Sequence, residues 1–141
     1  MTETLKHSVD QDGIALLVID IPGRPMNVLT PEFMRELEEA VGALAADAAV
    51  KGVVITSAKD SFIAGADLKD LVGVFGRMSD AQEIYGFARS FSQLFRKLET
   101  CGKPLVAAIN GTALGGGLEL CLSCHHRVAL QNPKAKIGLP E

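Results

Sequence analysis

The residues of this 141-residue chain best suited to chemistry lie between Lys103 and Cys124, in KPLVAAINGTALGGGLELCLSC. The apolar run Leu105 to Ile109 predicts a buried strand, and Asn110-Gly111 predicts a turn. Gly115, Gly116 and Gly117 then open a short apolar helix that carries Glu119 at about its first turn. Consecutive glycines cost backbone entropy unless something must approach the main chain closely. A helix start offers free N–H groups and the positive end of the helix dipole. The segment thus combines backbone donors for an incoming oxygen with an ionisable group a few residues away. That combination suits polarising a carbonyl and moving a proton.

A second segment follows the same order of residue types. Lys51 to Thr56 leads through a loop to Ala64-Gly65-Ala66-Asp67-Leu68, as Lys103 to Ile109 leads to Gly115–Glu119. The two are about fifty residues apart, with a helix returning between them. Stacked strand–strand–helix turns place both small-residue loops at one end of the sheets. Ligands collect there in α/β folds. One N–H from each loop, those of Ala66 and Gly116, can then converge on a single oxygen. Taken alone, the first loop reads as a tight connection with Asp67 as a helix cap. The recurrence of the pattern is what favours a shared use.

Glu119 is flanked by Leu118, Leu120, Cys121 and Leu122. A carboxylate in so apolar a helix lies either on a solvated edge or in a partly buried position. Burial raises its pKa towards the acid–base range, while the helix dipole pulls the other way. The local sequence leaves both function and surface charge open. Glu141, after Gly138-Leu139-Pro140, reads locally as a solvated, frayed terminal acid.

Other motifs are set aside on chemical grounds. Cys121-Leu-Ser-Cys124-His125 matches a haem-attachment spacing, and with His126 it suggests zinc. No export signal accompanies it, and a structural zinc site wants four well-placed ligands. Two cysteines three residues apart on an apolar helix are more simply small core residues, so no metal is expected. Cys101 is expected to close the preceding helix near Gly102. The glycines fit neither G-x-x-x-x-G-K-[ST] nor G-x-G-x-x-G. His7, His125 and His126 suggest no catalytic triad.

The elements that must position these residues follow from the hydrophobic pattern. Ile14 to Ile19, after Asp12-Gly13, predicts a strand following a hairpin turn. Pro22 to Pro25 reads as a loop. Thr30 as N-cap and Pro31 at the first helical position open a helix whose apolar residues Phe33, Leu37, Val41 and Leu44 keep helical spacing to about Ala46. Val53 to Thr56 predicts a strand. Ser79-Asp80-Ala81-Gln82 reads as a capping box for a helix burying Ile84, Phe87, Phe91, Leu94 and Leu98. Arg127 to Leu130 predicts a further strand. The size is that of one domain. The net charge of −3 gives no footprint for nucleic acid. The apolar runs are too short to span a bilayer, and the start of the chain has neither a signal-peptide nor a transit pattern. A cytoplasmic protein with reduced cysteines is expected.

Four stretches give the chain its resemblance to the enoyl-CoA hydratase/isomerase, or crotonase, family. They are GRPMNVLTPEF (Gly23 to Phe33), SFIAGADLKDL (Ser61 to Leu71), AAINGTALGGGLELCLSC (Ala107 to Cys124) and KIGLPE (Lys136 to Glu141). The ending CHHRVALQNPKAKIGLPE is most similar to the hydratase end of the multifunctional α-subunit of fatty-acid β-oxidation. The resemblance implies an α/β fold, a spiral of ββα repeats. It implies that the Ala66 and Gly116 amides bind a thioester oxygen, that Glu119 and Glu141 are the two catalytic glutamates, and that Ala64, Gly65, Ala66, Asp67 and Leu68 line the acyl-CoA site with Gly116. No cofactor is implied, coenzyme A being part of the substrate.

The implied reaction is reversible syn-hydration of a trans-2-enoyl-CoA to a 3-hydroxyacyl-CoA. Two preorganised donors stabilise the enolate, at about 3–4 kcal/mol each by analogy with other oxyanion holes. The alternatives are a Δ3–Δ2 enoyl-CoA isomerase on the same site and a non-catalytic acyl-CoA-binding fragment. By the resemblance, residues 1–141 form the N-terminal part of a hydratase/isomerase domain, stopping at its second glutamate and before its C-terminal helices. Weak or absent activity of this stretch alone is then expected, with apolar surface uncovered where those helices pack. An oligomer is implied, with a thiolase subunit as partner where the chain serves a β-oxidation complex.

Overall fold

The computed structural model describes residues 4–66 and 68–140, without the side chains of residues 68–71. In chain order its elements are β1 (Leu5–Val9), β2 (Ile14–Ile19), α1 (Pro31–Ala46), β3 (Gly52–Ser57), α2 (Leu68–Phe75), α3 (Ala81–Glu99), β4 (Leu105–Ile109), β5 (Ala113–Leu114), α4 (Gly116–Ser123), β6 (His126–Ala129) and β7 (Ile137–Gly138).

The main sheet has the order β1-β2-β3-β4-β6. The hairpin partner β1 is antiparallel to β2, and the other neighbours are parallel. Alternate residues of the parallel strands face the helices. Ala15, Leu17, Ile19, Val53, Ile55, Leu105 and Ala107 are almost fully buried there. Phe33, Leu37, Val41 and Leu44 of α1, Leu94 and Leu98 of α3, and Leu120 of α4 pack into the same core. Ile14, Leu16 and Val128 are exposed, as are Leu130, Ile137 and Leu139 near the end of the chain.

A second, smaller layer turns the sheet into a spiral. Leu29 pairs with Ala66, Ile63 pairs with Ala113, and β5 pairs with β7, all parallel. Each turn therefore runs from a strand of the main sheet, through a short extended segment of the second layer, into the next turn. In the first three turns a helix makes the return. This is the ββα repeat expected from the recurrence of small-residue loops, and it stacks those loops side by side.

Several expectations needed adjustment. The α3 cap is Asp80 rather than Ser79: its Oδ1 accepts the amides of Gln82 and Glu83 at 2.8 and 2.9 Å. Glu83 reaches back to the Ser79 amide at 2.7 Å, so the reciprocal box is displaced by one residue. A carboxylate at the positive helix end is the better acceptor.

Of the α3 residues expected in the core, only Leu94 and Leu98 are buried. Ile84 is exposed, and Phe87 and Phe91 are half-buried. Only the C-terminal part of α3 meets the core, through Leu94 and Leu98, and its first turns are exposed. There Phe87 makes edge-to-face contacts with Phe75 and Phe91 instead, at 5.7 and 5.2 Å. The strand expected over Arg127 to Leu130 is β6, which starts and ends one residue early, although the Leu130 amide still bonds the Ile109 carbonyl at 2.9 Å.

Candidate active site

The two small-residue loops meet in the second layer. Ile63 bridges Ala113, and the Leu114 amide donates to the Ile63 carbonyl at 3.0 Å. Carrying that parallel register forward sets Gly65 beside Gly115 and Ala66 beside Gly116. The packing agrees: a Cβ on Gly115 would lie 3.9 Å from the Gly65 Cα, and one on Gly65 would lie 3.5 Å from the Leu114 carbonyl oxygen. Gly117 lies so close to Ile63 that a Cβ there would collide with the Ile63 carbonyl oxygen. The three glycines thus answer to different constraints: a positive φ at Gly115, the Leu29 side chain at Gly116 and the Ile63 backbone at Gly117.

The direction of each candidate donor follows from the carbonyl in its own peptide. No described peptide bond is cis. In a trans peptide the C=O and the next N–H point opposite ways. The Gly65 carbonyl accepts the Leu29 amide at 2.9 Å, so the Ala66 N–H faces away from Leu29. The Gly115 carbonyl accepts the amides of Leu118 and Glu119 at 2.9 and 3.0 Å, pointing into α4. The Gly116 N–H therefore points out of the helix start. Among the described residues, neither amide has an acceptor. Gly65 has φ +90° and Gly115 φ +52°, backbone conformations that strain any residue with a Cβ.

The sequence-selected residues fall as follows. Ala64 is half-buried and donates its amide to the Asn27 carbonyl at 2.8 Å. Gly65 is buried, and Ala66 and Gly116 are half-buried. Leu68 begins α2. Asp67 and Glu141 lie outside the described residues. Glu119 is in the first turn of α4 and is exposed. Of the two positions open to it in sequence, it takes the solvated one. Its carboxylate nevertheless turns back along the helix: Oε2 lies 3.5 Å from where a Cβ on Gly116 would be. The acid and the Gly116 donor therefore share one flank of the helix start.

Two residues of this site escaped the sequence reading. Leu29, 5% exposed, bonds Gly65 through its amide, and a Cβ on Gly116 would collide with its Cδ1. Asn27 is fully buried and hydrogen-bonded on every side. The available signal was an amide side chain inside an otherwise apolar run just before a helix cap. A cavity of about 710 Å3, lined in part by Met26, Lys59, Ser61, Asn110 and Lys134, lies at the carboxyl edge of the main sheet. It does not include Ala66, Gly116 or Glu119.

The cysteine–histidine cluster is structural. Burial pushes the Cys121 and Cys124 thiols up to about 12, each reinforced by a neighbouring thiol and opposed by Arg127. His125 accepts the Leu105 amide on Nδ1 at 3.0 Å, and its Nε2 lies 3.1 Å from the Glu99 carbonyl oxygen. Among the described residues no cluster of side chains suits a metal ion. None of the described helices is long and apolar enough to cross a membrane.

Comparison with known proteins supplies the remaining observations. Residues 10–141 match the family described as enoyl-CoA hydratase/isomerase. The chain is 44% identical over 146 aligned positions to the fatty acid oxidation complex subunit alpha of Shewanella halifaxensis, covering 100% of this chain and 20% of that protein. It is 46% identical over 131 positions to the same subunit of Shewanella loihica, covering 92% and 18%. The chain thus spans about a fifth of the length of these relatives.

Among solved structures, an enoyl-CoA hydratase/isomerase from Xanthobacter autotrophicus superposes with a TM-score of 0.85 at 29% identity, covering 100% of this chain and 50% of that one. An enoyl-CoA hydratase from Bacillus halodurans gives 0.81 at 26% identity, covering 92% and 51%. The spiral of ββα turns, its two abutting glycine loops and a family match over nearly every residue agree: this chain belongs to the enoyl-CoA hydratase/isomerase, or crotonase, family.

Proposed function

We propose that this chain supplies the oxyanion hole and two acid–base carboxylates, Glu119 and Glu141, for reversible syn-hydration of trans-2-enoyl-CoA to 3-hydroxyacyl-CoA in fatty-acid β-oxidation. One observation carries the reading. The carbonyls of Gly65 and Gly115 are both engaged, which turns the amides of Ala66 and Gly116 outward from adjacent loops. The thioester oxygen sits between those amides, with the acyl-CoA running along Ala64 to Leu68. Water adds to the β-carbon, and charge builds on the thioester oxygen as an enolate. Donors fixed before reaction stabilise that charge without reorganising, at about 3–4 kcal/mol each.

Glu119, on the flank of the Gly116 donor, exchanges a proton with the attacking water or with Cα. Glu141 is the second carboxylate in this reading, sharing the same water. The relatives named as fatty acid oxidation complex subunits support fatty-acid oxidation as the setting. In this reading a thiolase subunit is the partner within such a complex. The test is Glu119→Gln in protein that turns over trans-2-butenoyl-CoA, followed by loss of the conjugated-thioester absorbance. Hydration should fall by about 10²–10⁴-fold, the usual contribution of a positioned acid–base group. Turnover equal to the parent would overturn the assignment. Conjugation of a 3-enoyl-CoA in the absence of hydration would assign the site to the isomerase reaction instead.

A further inference from the structure

We infer that Asn27 is a positioning residue for the Ala66 donor, acting through the segment that bonds the Gly65 loop. The inference rests on the oxyanion-hole reading above. Asn27 lies in the connection between β2 and α1 and is 0% exposed. Its Oδ1 accepts the Ile21 amide at 3.0 Å. Its Nδ2 donates to the Ser57 Oγ at 2.8 Å and lies 3.2 and 3.3 Å from the carbonyls of Ile19 and Phe62. One side chain thus pins the ends of β2 and β3 to each other and to the start of the 62–66 loop.

The backbone extends this clamp to the donor. The Asn27 carbonyl accepts the Ala64 amide at 2.8 Å, and the Leu29 amide, two residues on, donates to Gly65 at 2.9 Å. The second of these bonds aims the Ala66 N–H. A buried amide side chain with its donors and its acceptor both engaged has one favourable orientation, because any other leaves polar atoms unpaired. Asn27 therefore fixes where residues 27–29 run, and residues 27–29 fix the peptide plane that presents Ala66. Lys59 reinforces the same connection from outside, donating Nζ to the carbonyls of Ile21 and Arg24 at 2.7 and 2.6 Å. Asn27 itself does not touch the reacting atoms.

Asn27→Ala is the direct test, with Ser57→Ala as a milder variant that removes one acceptor and leaves the Asn27 side chain in place. Two readouts are needed: amide hydrogen exchange at Ala64 and Leu29, and kcat and KM per folded molecule. For Asn27→Ala, exchange at both amides should quicken about tenfold or more relative to the core strands. The same variant should lose about a hundredfold in kcat with KM changed less than about threefold, as for a misplaced catalytic group. Ser57→Ala should move both readouts in the same direction by a smaller factor, and it carries the test if Asn27→Ala does not fold.

Unchanged exchange, or unchanged kcat in a folded variant with quickened exchange, would overturn the inference. A protein carrying an entire hydratase/isomerase domain with this sequence that neither binds nor turns over an enoyl-CoA would instead overturn the functional reading. The exchange data would still report whether Asn27 holds the loop.

Discussion

The amide of Leu29 bonds the carbonyl of Gly65 at 2.9 Å, and this bond sets the direction of the Ala66 N–H on the opposite side of the same peptide. A residue in the first turn of the spiral thereby orients a donor in the second. The third turn presents its own donor through the Gly115 carbonyl, which is held by α4. Neither direction depends on a side chain of the donor residue.

Gly65→Ala tests the backbone conformation behind this geometry. An added Cβ has room, with its nearest neighbour, the Leu114 carbonyl oxygen, 3.5 Å away, so the penalty comes from φ +90°. Holding alanine there costs about 1–3 kcal/mol, and rotation of the peptide to relieve it turns the Ala66 N–H away. Urea unfolding should show the loss of stability. Steady-state kinetics should show a fall in kcat larger than the loss of folded protein explains.

The neighbouring glycines should separate by what their new methyl meets. At Gly116 it meets the end of the Leu29 side chain, which can turn aside. At Gly117 it meets the Ile63 backbone oxygen as well as its side chain. Overpacking against backbone is the harder to relieve, so Gly117→Ala should lose about 1–3 kcal/mol and Gly116→Ala less. The order of melting temperatures checks this, and the reverse order would contradict the packing described.

Acid should loosen the β1 edge. Hydrogen bonds from Thr4, whose Oγ1 and amide donate to Glu36 Oε2 at 2.5 and 2.8 Å, hold the Glu36 carboxyl below its ordinary value of 4.5. A depressed folded-state pKa contributes stability above the unfolded-state value, and that stability is lost as pH falls through the folded-state value. The parent should therefore exceed Glu36→Gln in melting temperature at neutral pH. The gap should close as pH drops from 4.5 through the lowered pKa. A pH-independent gap would show that Glu36 acts by packing alone.

Much of this architecture was legible because local signals and tertiary roles coincide. Thr30-Pro31 opens α1, with Thr30 Oγ1 accepting the Phe33 amide at 3.1 Å, and the apolar runs of β2 and β4 are strands over the expected residues, β2 with alternate residues buried. The edge strand β1 gave little signal because Lys6 to Val9 are exposed. The strands β5 and β7 are two residues each, too short for any periodicity, and exist only by pairing across the spiral.

The candidate site divides the same way. Small residues before a helix marked the Ala66 and Gly116 loops. Asn27 and Leu29 went unnoticed because their partners are spread from Ile19 to Gly116, and only the fold brings those together. The exposure of Glu119 was likewise open, since apolar neighbours along a helix do not say which flank faces water.

The most direct measurement is the infrared stretch of a 13C-labelled thioester carbonyl in an enoyl-CoA bound to the protein. If the amides of Ala66 and Gly116 both grip that oxygen, the band moves to lower frequency on binding, and Gly65→Ala reduces the shift while the ligand remains bound. A bound thioester whose carbonyl band stays at its solution frequency would contradict the account.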